Sequence, residues 1–131
     1  MFKLQNKVEI IIPKEDNNGK HIMHHELNEA HRTITRVCGG CTITDVKGQW
    51  YSKDEERIMQ DNNTNYEWYY EKDMQDVNDQ QSLINGLSII ARVLIFKYGQ
   101  EGISIKINGT LYIIDENDLN FLSYELYKLM F

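Results

Sequence analysis

Cys38 and Cys41 flank two glycines, giving the C-x-x-C spacing used by redox dithiols and by metal sites. A redox pair of this kind opens a helix, whose dipole lowers the pKa of the first thiol. Here the pair falls where a helical stretch ends, so the dipole acts in the opposite sense. The plainer reading is two small apolar residues around a Gly39-Gly40 helix exit. His21, His24, His25 and His31 lie just upstream. Two imidazoles and two thiolates would make a tetrahedral zinc site. However, the chain has no second C-x-x-C, and His24, His25 and His31 point to different faces of the expected helix. Zinc binding through Cys38, Cys41 and these histidines is therefore kept as an alternative, and no metal or other cofactor is expected.

The aromatic residues form a second candidate. Tyr66, Trp68 and Tyr70 alternate along one strand face, with Glu67, Tyr69 and Glu71 on the other. Aromatics on an open sheet can stack on nucleobases, and a bare aromatic row can equally be core or a contact with a second copy. A third candidate joins Thr42, just past the two glycines, to Trp50 and to Gln100 and Glu101. Gly39 and Gly40 would let backbone approach a ligand closely. Thr42 offers a hydroxyl, Trp50 a flat ring with one N–H, and Glu101 a carboxylate able to anchor a ligand or act as general base. The structural counterpart is a helix exit, a tight turn and a core tryptophan. The acidic runs Asp54-Glu55-Glu56 and Asp115-Glu116-Asn117-Asp118 suit solvated faces. No G-x-S-x-G, P-loop, H-E-x-x-H or G-x-G-x-x-G is present.

These residues need elements to hold them. Lys7 to Ile12 is β-branched and stopped by Pro13, which reads as a buried strand. Leu27, Ala30, Ile34 and Val37 form one stripe of a helix from about His24 to Cys38. Cys41 to Val46 alternates as a second strand, with Lys47-Gly48 expected to bend it. A third strand is strongest from Asn65 to Tyr70; residues 57–64 fit strand or loop. A long helix, capped by Asn78 with Gln81 in a capping box, carries the stripe Leu83, Leu87, Ile90, Ala91, Leu94 and Tyr98 and ends at Gly99. Ile103, Ile105 and Ile107 lead into Asn108-Gly109, a strong hairpin signal. A last helix is expected from about Asp118. The order β-α-β-β-α-β, with an added C-terminal hairpin strand and helix, predicts an α+β, ferredoxin-like sandwich with one sheet face left open.

The chain has 131 residues, 41% of them hydrophobic and 26% charged, which suits one domain over residues 1–131. A formal net charge of −6, with Lys and Arg scattered as singles, disfavours a nucleic acid polymer as ligand. The start lacks the apolar stretch of a signal peptide and no apolar run would span a bilayer. A cytoplasmic protein with reduced cysteines and no membrane partner is expected. The bias towards Asn, Asp, Ile, Lys and Tyr is that of AT-rich genomes, such as those of low-GC bacteria and their phages.

Ile10-x-Ile12-Pro13, Gly39-Gly40-x-Thr42, Gly48-x-Trp50 and Gln100-Glu101 together resemble a family of small bacterial and phage proteins carried as a domain of unknown function. The resemblance spans roughly residues 7–114 and departs from that family at Asp61-Asn62-Asn63-Thr64-Asn65. It implies a ferredoxin-like domain and carries no activity with it. The expectation is a non-enzymatic binding protein, a phage-encoded anti-defence protein that sequesters a small nucleotide-like signal or inhibits a host protein. Its ligand residues are drawn from Thr42, Trp50, Tyr66, Trp68, Tyr70, Gln100 and Glu101. The alternative is a small homodimeric enzyme with its site around Thr42, Trp50 and Glu101. A homodimer is expected in either case, because strand aromatics need cover.

Overall fold

The computed structural model describes residues 1–22 and 25–131. The chain is α+β: a five-stranded antiparallel sheet and three α-helices, in the order β1 (Asn6–Pro13), α1 (His25–Cys38), β2 (Thr42–Ser52), β3 (Arg57–Tyr70), α2 (Val77–Phe96), β4 (Ile103–Ile107), β5 (Thr110–Ile114) and α3 (Leu122–Met130). A 3-10 turn over Glu116–Phe121 leads into α3. The sheet order is β2-β3-β1-β4-β5.

Alternation along each strand decides which side chains meet the helices. Val8 and Ile10 of β1, Trp68 and Tyr70 of β3, Ile103, Ile105 and Ile107 of β4 and Ile114 of β5 are buried, and they share one face through the strand register. Helices α1 and α2 pack on that face through Leu27, Ala30 and Ile34 against a long apolar run centred on Leu83, Leu87, Ile90 and Leu94. The two helices approach closely at Gly86, where a Cβ would lie 2.6 Å from Ile34 Cγ1. α3 lies beside α2, joined by the Ser88 and Ser123 hydroxyls 3.0 Å apart and by Arg92 Nη2 donating to the Leu119 carbonyl at 3.0 Å. With the helices on one side, the opposite face of the sheet is left uncovered.

Three local expectations are corrected. β2 does not bend at Lys47-Gly48; it runs on to Ser52, and β3 starts at Arg57, so residues 57–64 are strand. The turn lies at residues 53–56, where the Glu55 N–H donates to Ser52 Oγ and Glu56 takes a positive φ of 52°. Gly48 stays extended because Gly48 pairs directly with Asp61 in an unbroken ladder. The long helix is capped by Asp76, whose carboxylate accepts from the Asn78 N–H at 2.9 Å, so Asn78 is already inside the helix. That helix closes at Phe96, and Tyr98 lies beyond it. The Asn108-Gly109 turn is as expected, both residues having positive φ (50° and 85°).

β1 covers β3 only from Asn63 to Tyr70. Beyond that, Lys47–Ser52 and Arg57–Asn62 pair only with each other. They form a two-stranded ribbon that leaves the sheet, with Trp50, Tyr51 and Ile58 exposed on it.

Candidate functional site

The register shows what the uncovered face presents. A row across the sheet runs Thr42, Glu67, Glu9, Lys106, Leu111, each directly opposite the next. Beside it lie Lys7 and Tyr69, a cross-strand pair. Lys7 Nζ sits 3.4 Å from Glu67 and 3.9 Å from Glu9, and lies over the Tyr69 ring at 5.8 Å. Asn65 Nδ2 donates to Glu9 Oε1 at 3.2 Å. The Glu9 side chain is only 13% exposed and that of Glu67 23%, although no helix covers them. Two like charges directly opposite one another repel; Lys7 offsets this, and Glu9 first and Glu67 second raise its pKa above the ordinary 10.5. The result is a sheltered carboxylate pair, with an aromatic ring beside it, at the middle of an open sheet face. A cationic group that displaced Lys7 would meet two acceptors and the ring's negative face together.

Of the residues expected from sequence to bind ligand, Thr42 joins this cluster, opposite Glu67. Trp50 does not. It is half exposed on the ribbon, eight residues further along the same extended strand, roughly 26 Å at the usual rise per residue. Glu101 and Gln100 precede β4, which is three strands from β2 in the sheet, so they are roughly 14 Å or more from Trp50's strand. Thr42, Trp50 and Glu101 are thus not gathered in one chain, and Trp50 neither packs in the core nor lies near Thr42. Gln100 is tied locally, its N–H donating to the Leu94 carbonyl at 3.1 Å.

Tyr66, Trp68 and Tyr70 lie on the helix-covered face, not the open one. Trp68 is fully buried, and its Nε1–H donates to Thr35 Oγ1 at 3.0 Å. Tyr70 is buried against Phe131, with ring centroids 5.6 Å apart, and burial first, then Cys38, pushes its phenol up to about 12. Tyr66 is half-buried beneath His31, with ring centroids 4.8 Å apart and edge to face. The platform reading of this row gives way to a packing role, because β3's even-numbered residues here face α1 and α2. The open face instead carries the odd-numbered set. Glu67 and Tyr69 were visible in the sequence as that set, but the partner carboxylate Glu9 and Lys7 come from β1 and needed the register.

Cys38 and Cys41 end up beneath the end of α1. Burial, then Cys41, pushes the Cys38 thiol up to about 12, and burial also raises that of Cys41. Neither is poised as a thiolate for redox exchange or metal. His21 and His25 are exposed, His31 is held in the aromatic stack, and His24 lies outside the described residues. Among the described residues no three His, Cys, Asp or Glu side chains gather as a metal-binding group, which leaves the zinc alternative without a site there. Among them also, no helix is long and apolar enough to cross a membrane.

No protein-family model and no curated protein matches the chain. Its fold is similar to solved structures. A phage SAM lyase in complex with S-methyl-5'-thioadenosine superposes with a TM-score of 0.56 at 12% identity, over 89% of this chain and 96% of that one. The same kind of protein in its apo state gives a TM-score of 0.51 at 12% identity, over 88% and 94%.

Proposed function

We propose that this protein binds a small, positively charged nucleoside of the S-adenosylmethionine kind on the open sheet face, with Glu67 and Glu9 holding the cationic centre and Tyr69 and Thr42 beside it. The observation that carries the reading is the sheltered, opposed carboxylate pair, which is built to hold a cation and already holds Lys7. The fold's likeness to a phage SAM lyase, solved with S-methyl-5'-thioadenosine, supports that ligand class. The order β2-β3-β1-β4 supports reading the first six elements as a ferredoxin-like unit extended by β5 and α3. Binding without turnover fits a phage-encoded anti-defence protein that sequesters a nucleotide-like molecule. Cleavage of the same ligand is the second reading, favoured by the lyase likeness and by a lysine set between two carboxylates.

Titration calorimetry with S-adenosylmethionine and with S-methyl-5'-thioadenosine tests the site, and chromatography of the mixture separates sequestration from cleavage. Saturable binding of the sulfonium compound is expected. Glu67→Gln and Glu9→Gln should each weaken it roughly tenfold or more, the scale of a lost hydrogen bond to a charged group. Absence of binding by both compounds, or binding indifferent to both substitutions, overturns the proposal.

A further inference from the structure

We propose that the edge strand β5 pairs antiparallel with β5 of a second copy, joining two sheets into one across a two-fold axis. β5 hydrogen-bonds only with β4, so its other edge presents a row of backbone donors and acceptors. Strand edges that stay single are protected by charge, proline or a bulge. The opposite edge, β2, follows that rule: it carries Asp45 and Lys47, and Asp45 is held by Lys14 at 2.8 Å. β5, Thr-Leu-Tyr-Ile-Ile, has no charge and no proline, and it runs straight in register with β4. Apolar surface gathers along the same edge. Leu111 is 51% exposed, Ile113 62% and Phe121 68%. A groove of about 470 Å³ runs between β5 and α3, with Ile113, Phe121 and Leu129 among its walls.

The occupant is a second copy, because the edge is complementary to itself. An axis through Tyr112 sets Leu111 opposite the partner's Ile113 on the open face, and Ile113 opposite the partner's Leu111, so apolar side chains meet in cross-strand pairs. Charge agrees with that direction. β5 leaves through Asp115, Glu116 and Asp118 and enters through the Asn108-Gly109 turn, beside which stand Lys7 and Lys106. Antiparallel pairing brings the acidic end of one strand to the basic end of the other. A parallel arrangement would set like charges together.

Sedimentation velocity across the micromolar range tests this. The wild-type chain should sediment at twice its 15.5 kDa mass. Leu111→Lys and Ile113→Lys change exposed side chains, and each should weaken association roughly tenfold or more, with circular dichroism and melting temperature retained. A Leu111→Cys, Ile113→Cys double variant should cross-link under mild oxidation, since opposed strand residues lie within disulfide range. A monomer throughout the range overturns the proposal. So does a dimer that survives both lysine substitutions, or a cysteine variant that stays uncross-linked while dimeric.

Discussion

His31 sits against the ring of Tyr66 and 5.9 Å from that of Trp68, and its buried Nε2 has no hydrogen-bond partner. Burial, then the Arg32 charge, holds its pKa below the ordinary 6.5. The unfolded chain therefore takes up a proton near pH 6.5 that the folded chain refuses. This contribution to stability is complete above that pH and is lost as pH falls from 6.5 towards the lower folded value. The melting temperature should drop between about pH 7.5 and about pH 5.5, and His31→Phe, which keeps a ring on Tyr66, should drop less. Parallel losses in the two proteins would remove His31 from the account. At this scale the sequence was ambiguous: it marked His31 as one of four histidines near a cysteine pair. Only the packing of α1 on β3 shows it as a neutral member of an aromatic stack.

Elements were legible where local chemistry decides them. The Asn108-Gly109 turn, the α1 stripe and the alternation of β4 follow from neighbours in sequence. The cap of α2 was misplaced by two residues because Asn78 and Asp76 both have capping side chains, and the choice depends on where the chain leaves β3. Asp76→Ala should cost about 1 kcal/mol in denaturant unfolding, while Asn78→Ala should be nearly neutral. Equal losses would mean that Asn78 caps as well. The ribbon was missed for a different reason. Arg57 to Asn65 is polar on both faces, so it lacks the hydrophobic alternation of a half-buried strand; pairing with β2 makes it one. Gly86 gave no local warning either, because its role is to admit Ile34 from another helix.

For the molecule as a whole, α+β and a bare sheet face could be inferred from the order of elements. Which residues occupy that face could not, since Glu9, Glu67 and Lys106 meet only through the register of three strands. The fold has also divided its two tryptophans between opposite environments: Trp68 is at 0% exposure, and Trp50 is at 50% on the ribbon. The protein thus contains two optical reporters of different events. Acrylamide should quench the native emission along a downward-curving plot, one component open and one shielded. In Trp50→Phe the remaining emission should shift to the blue and resist quenching until the chain unfolds; easy quenching of that variant would contradict the burial of Trp68. Ligand or partner events on the ribbon would then register in Trp50 alone, and loss of the core in Trp68 alone.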